Sequence, residues 1–173
     1  WDCRWPDPVA MQVAHDRIRL TLDPDRPDLN MRLPTTVRME PAPASESDPL
    51  PRALLVTPWA AERVFWGLPD GSAPPISSAF PLQGDDEGRV DTGQGVVLHA
   101  DGTDIPVIIG WEPETGHFFS ETLLKPILNY TRADEVLQIA LGERPTPTKS
   151  KSLSNHLEHQ VSRRSLFGFL RRE

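Results

Sequence analysis

The apolar positions along the chain change spacing several times, and each change marks an element. From Pro8, residues Val9, Ala10, Val13, Ala14 and Arg17 follow helical spacing behind an Asp7 N-cap, with proline at the first helical position. Ile18, Leu20 and Leu22 then alternate with Arg19 and Thr21, so the end of that segment fits extended chain equally well. DPDRPDLN at 23–30 is a loop by its Pro, Asp and Asn content. Val37 and Met39 alternate with polar neighbours as a strand, and PAPASESDPLP at 41–51 reads as a solvated hairpin excursion. The stretch from Arg52 to Leu68, RALLVTPWAAERVFWGL, organises the rest of the chain. Ala53 to Thr57 predicts a buried central strand whose ladder stops at Pro58, which has no N–H to donate. Val64, Phe65, Trp66 and Leu68 predict a second strand before a Pro69-Asp70-Gly71 turn.

Beyond Leu68 lies a long irregular section, punctuated by Pro74-Pro75 and by the Gly84 to Gly88 run. Gly95 to Ala100 and Ile105 to Trp111 are apolar, β-branched and joined by Asp101-Gly102-Thr103, which predicts a hairpin. Phe118, Phe119, Leu123, Leu124, Ile127 and Leu128 then recur every three to four residues. That spacing predicts an amphipathic helix, kinked or shortened by Pro126. Thr131-Arg132-Ala133-Asp134 resembles a capping box opening a second helix, through Val136, Leu137, Ile139, Ala140 and Leu141 to a Gly142 stop. The expected fold is a single α+β domain over residues 1–142, mainly an antiparallel sheet with the C-terminal helices packed on one face. Residues 143–160 read as a flexible linker and 161–173 as a basic tail.

Composition changes this picture in three places. Nineteen prolines, about twice the usual share, predict short elements joined by stiff connections. Cys3 stands alone, which excludes a disulfide framework or a CxxC motif and fits a reducing, cytoplasmic compartment. No apolar run approaches the roughly 20 residues that span a bilayer, and Trp1 in first position leaves a preceding targeting segment open. Charge is the third. From Glu143 to Glu173, seven Lys or Arg stand against three acids, so the tail carries +4 and residues 1–142 carry −11. An acidic body disfavours nucleic acid as a partner and favours basic peptides.

The residues that bear chemistry fall around the central stretch. A receptor for a basic, apolar peptide needs an apolar groove beside carboxylates that can accept charge-assisted bonds from guanidinium groups. Pro58, Trp59, Trp66, Trp111, Phe118 and Phe119 are candidate anchors, with Glu62, Glu112 and Glu114 next to them in sequence. An enzyme is the competing class: His99 and His117 with Glu112, Glu114 and Asp104 would be its candidates. The chain has no HExxH, nucleophile elbow or phosphate loop, and no cofactor or metal is expected. A third reading is a peripheral membrane protein held by the terminal FGFLRR element.

Leu55-Val56-Thr57-Pro58-Trp59, together with Ser162-Arg163-Arg164-Ser165-Leu166-Phe167-Gly168 near the end, resembles the HybE-type assembly chaperones of nickel-iron hydrogenases. Weaker agreement runs from Asn30 through Arg52. The tail motif, with Ser162, Arg163, Arg164, Leu166 and Phe167, also resembles the twin-arginine pattern of exported redox-protein precursors, but its apolar stretch, Leu166 to Leu170, is only five residues long. The family resemblance implies a cytoplasmic, non-catalytic protein. Such a protein binds immature hydrogenase small or large subunits, including a twin-arginine signal peptide, and delays export until assembly is complete.

Overall fold

The computed structural model describes residues 1–41, 50–70, 72–86, 89–100 and 102–143. The 42–49 excursion, most of the linker and the 161–173 tail therefore lie outside the described residues. Helix α1, Pro8–Thr21, starts where the sequence predicts, because the Asp7 carboxylate accepts the N–H groups of Val9 and Ala10. It stays helical through the segment that alternation left open. Its buried side is Met11, Ala14 and His15, while Val9 and Val13 face solvent.

Seven strands come next: β1 (Thr36–Glu40), β2 (Arg52–Val56), β3 (Ala61–Trp66), β4 (Ile76–Ser77), β5 (Gly95–Ala100), β6 (Thr103–Glu112) and β7 (Gly116–Leu124). They form one antiparallel sheet in the order β1-β2-β3-β7-β6-β5-β4. The predicted β5–β6 hairpin is present, with Gly102 at φ +66° supplying the left-handed turn position and Ala100 paired with Thr103. The stretch read as a central strand is β2, second from the edge. It is buried along its whole length because its alternate residues meet a different layer on each side.

Those two layers define a front and a back face. Ala53, Leu55, Val64, Trp66 and Phe118 on the front pack under Met11 of α1. On the back, Leu54, Val56 and Ala61 pack under Val136 and Leu137 of helix α2, Ala133–Ala140, with Leu33 and Ile127. The expectation of C-terminal helices on one face is thus replaced by one helix on each face, the front helix coming from the N-terminus. A second back-face cluster joins Phe65, Phe119, Ile109, Val96 and Leu98 under the loops that carry Leu50, Leu68, Leu82 and Val90. Between the two back clusters, Arg63 bonds Glu40 at 2.8 Å and Glu121 at 2.9 Å. Burial alone would push its guanidinium down, but the two carboxylates outweigh it and hold the group more strongly charged.

The expected amphipathic helix over 118–128 is instead strand β7 and the connection after it. Phe118 and Phe119 enter opposite faces of the sheet, each into its own cluster, so a strand covered on both sides imitates helical spacing. Pro126 lies past the strand end at Leu124. The expected capping box is also shifted. The N-cap of α2 is Arg132 without a side-chain bond, and Asp134 and Glu135 in the first turn serve the helix dipole instead. Its end is as predicted: Gly142 at φ +72° donates to Ile139, and Glu143 donates to Gln138, a Schellman closure.

Candidate functional site

Several predicted anchors do not form a groove, because they serve the core. Trp66 and Phe119 are fully buried and Phe118 nearly so, on two different faces. Pro58 is buried in the turn that joins β2 to β3. There the Thr57 N–H donates to the Ala60 carbonyl at 2.9 Å, and the Ala60 N–H donates to the Thr57 hydroxyl at 3.2 Å. The Pro58 carbonyl accepts the Asn30 N–H at 2.8 Å, and the Asn30 amide donates to the carbonyls of Ile127 and Tyr130 at 2.9 and 2.7 Å. This buried asparagine ties three connections together, which explains why the Thr-Pro-Trp turn and Asn30 belong to one structural unit. Trp59 is half-buried, its indole stacked on the His15 ring at 6.3 Å. The His15 Nδ1–H donates to Met11 within α1.

Trp111 is on the other side of the molecule from Glu62. Its indole N–H donates to Asp2 at 3.1 Å and the Arg89 guanidinium stands 4.6 Å over its ring. Around it the N-terminal residues lie on the β6–β7 end of the back face. His117 accepts the Asp2 N–H at Nδ1, its Nε2–H donates to Val90, and Trp1 packs edge-on to its ring at 5.1 Å. Burial pushes the His117 imidazole below the ordinary histidine range. The hydrogen bonds from Arg4 hold the Asp2 carboxyl below the usual carboxylate range. Glu112 and Glu114 are both claimed by Arg17 of α1, at 3.1 and 2.7 Å, and this partner lowers Glu114. They fasten α1 to the β6–β7 end of the sheet.

Glu62 alone of the predicted carboxylates keeps a receptor's geometry. It projects from the front face, half-buried, and accepts the Ser120 hydroxyl at 2.8 Å, with no cation beside it among the described residues. Next to it no helix among the described residues covers the front face, because α1 lies over the half of the sheet that holds β1, β2, β3 and the start of β7. The uncovered half is a groove of about 530 Å³ over β5, β6 and β7. Its walls include Val97, Pro106 and Ile108, with Gly95, Ser120 and Thr122 as small floor positions. Ile108 is 50% exposed. None of these groove residues was singled out from sequence. The available signal was that Val96-Val97-Leu98 and Val107-Ile108-Ile109 are apolar at both parities, as if both faces were covered, whereas the described residues cover only the back one.

Ser77 at the groove's β4 side joins two polar side chains beyond its lining, nearer the β5–β6 turn. The His99 Nδ1–H donates to Asp104 at 2.7 Å, and the Ser77 hydroxyl donates to His99 Nε2 at 3.1 Å. The strand register puts Ser77, His99 and Asp104 on the same front face as Ile108 and Glu62. His117 is not part of this set. No group of three or more His, Cys, Asp or Glu among the described residues is placed to hold a metal ion. No helix among them is long and apolar enough to cross a membrane. Against models of known protein families, curated proteins and solved structures, this chain finds no match.

Proposed function

We propose that the protein is a non-catalytic binding protein that receives an apolar, arginine-bearing peptide segment in the open front groove. The observation that carries this reading is an apolar half of the sheet left uncovered by the described residues, beside a half-buried carboxylate with no cation among them. Contiguous exposed apolar surface rimmed by polar groups is a common form of a protein-binding site. An arginine of the bound segment would give Glu62 the bidentate partner it lacks. The Thr-Pro-Trp turn and the terminal Arg-Arg motif support a narrower version, in which the client is an immature nickel-iron hydrogenase subunit held in the cytoplasm before export. The twin-arginine signal peptide of the small subunit is then the segment received.

Titrating a synthetic peptide with two arginines followed by an apolar run tests the first part, read by tryptophan fluorescence and calorimetry. Saturable binding is expected, weakened at least tenfold by Ile108→Glu and by Glu62→Gln. Its absence, or binding by both variants as tight as by the parent, removes the groove reading. Purification of the protein from cells expressing hydrogenase tests the client. Recovery of an unprocessed hydrogenase subunit supports it, and recovery of none removes the hydrogenase part.

The Ser77–His99–Asp104 series favours a second reading, a hydrolase in which Ser77 attacks an ester and His99 takes its proton. The exposure of the Asp104 side chain, 76%, leaves this series in water, where a relay gains little electrostatic advantage. Labelling by a fluorophosphonate probe, abolished by Ser77→Ala, would establish this reading in place of the first.

A further inference from the structure

We infer that the front groove of the free protein is occupied by the chain's own C-terminal segment, residues 161–173, which an incoming peptide must displace. The inference rests on the binding reading above and adds regulation to the same site. It comes from matching the charge pattern of the groove to that of the tail. The apolar strip of Val97, Pro106 and Ile108 shares its face of the sheet with two carboxylates outside the cavity lining: Glu62 on the β3 side, bonded to the groove residue Ser120, and Asp104 near the β5–β6 turn. Glu62 has no cation among the described residues, and Asp104 has only His99.

The tail has the complementary order. In VSRRSLFGFLRRE, Leu166, Phe167, Phe169 and Leu170 lie between Arg163-Arg164 and Arg171-Arg172. Cation, apolar block and cation thus meet carboxylate, apolar strip and carboxylate. The overall balance agrees, at +4 for the last 31 residues against −11 for the rest. Reach is sufficient. Seventeen residues separate Glu143 from Val161. Seventeen residues as a random coil have a root-mean-square span of roughly 20–25 Å, and fully extended a contour of roughly 60 Å. That is enough to pass round the sheet edge and to hold the tail near millimolar effective concentration. Even a weak intramolecular contact would then compete with a client.

The test uses the full chain in a Cys3→Ser background, with a nitroxide label at Ser165→Cys and amide signals read by NMR. Expected is paramagnetic broadening of Val97, Ile108 and Ser120. It should be lost when Arg163→Glu, Arg164→Glu and Phe167→Ser are combined, a change outside the described residues. The same triple variant should bind the synthetic two-arginine peptide at least tenfold more tightly. Absence of broadening in the groove, with equal peptide binding by both proteins, overturns the tail proposal and leaves the binding reading intact. If neither protein binds the peptide, the binding reading falls, and with it the regulation proposed for its site. Broadening that appears only between labelled and unlabelled molecules overturns an intramolecular contact in favour of exchange between copies.

Discussion

Strands β2 and β5 look alike as sequences, RALLV against GVVLHA, but the sheet uses them in opposite ways. Every residue of β2 is buried, because α1 closes its front and α2 its back. In β5 only Val96 and Leu98 are buried, while Val97 is half-covered beside an open groove. The same surplus of apolar side chains is thus spent on stability at one end of the sheet and left facing outward at the other. A strand whose exposed parity is as apolar as its buried one carries side chains that folding has not used. This gives the groove its argument for function, since surface kept apolar without a folding reason has some other use.

On that contrast, mutations at the two ends should separate stability from binding. The largest effect is expected at Trp66→Ala, which empties a fully buried site under α1 and should cost about 3–5 kcal/mol in a denaturant titration. Trp66→Phe sharpens the point. It keeps most of the volume and removes an indole N–H that has no hydrogen-bond partner among the described residues, so its loss should be much smaller. Gly110→Ala comes next, because a Cβ there would lie 2.3 Å from the Phe118 ring, and about 1–3 kcal/mol of overpacking is expected.

Acid should act on the N-terminal residues of the back face before it reaches either end of this comparison. Unfolded His117 takes up its proton near the ordinary 6.5, whereas the buried folded group resists it. The unfolded state therefore binds more protons as pH falls below that value. Stability contributed by this site is complete above about 6.5 and declines as the pH drops. Asp2, also lowered, adds a further loss below its ordinary 3.8. Thermal melts between pH 7 and 5 should show the first step, and His117→Phe should flatten it. The smallest stability change belongs to Ile108→Ser, within about 0.5 kcal/mol of the parent. Its peptide affinity should nevertheless fall tenfold or more, about 1.4 kcal/mol. A destabilisation of Ile108→Ser as large as that of Trp66→Ala would erase the distinction between the two ends.

Much of the fold was legible because local signals were strong. Asp7-Pro8, Asp101-Gly102 and Gly142 each fix a boundary through their own backbone chemistry, and the structure places α1, the β5–β6 hairpin and the end of α2 there. What misled was layering. Phe118 and Phe119 are adjacent and both buried, which no one-sided strand allows, so their spacing resembled a helix until the two faces were known. The candidate site suffered from the same cause. Aromatic residues near the Thr-Pro-Trp turn drew attention, yet Trp66, Phe118 and Phe119 are core. Glu112 and Glu114 are held by Arg17, a partner 95 and 97 residues earlier. Proximity in sequence placed Glu62 among the candidates. Only the pairing of β3 with β7 reveals that it borders the groove through Ser120.

The Asn30 tie has a consequence for the order in which the chain can assemble. Its side-chain amide reaches carbonyls 97 and 100 residues away, and so closes loops spanning most of the described chain. Closing such loops early carries an entropic cost that nothing yet repays, whereas after β7 has joined β3 the acceptors are already nearby. The tie therefore belongs to the descent from the transition state and not to the climb. Asn30→Ala should leave the refolding rate nearly unchanged while quickening unfolding. The asparagine beside the Thr-Pro-Trp turn then acts as a latch on the finished sheet, setting how long the molecule stays closed.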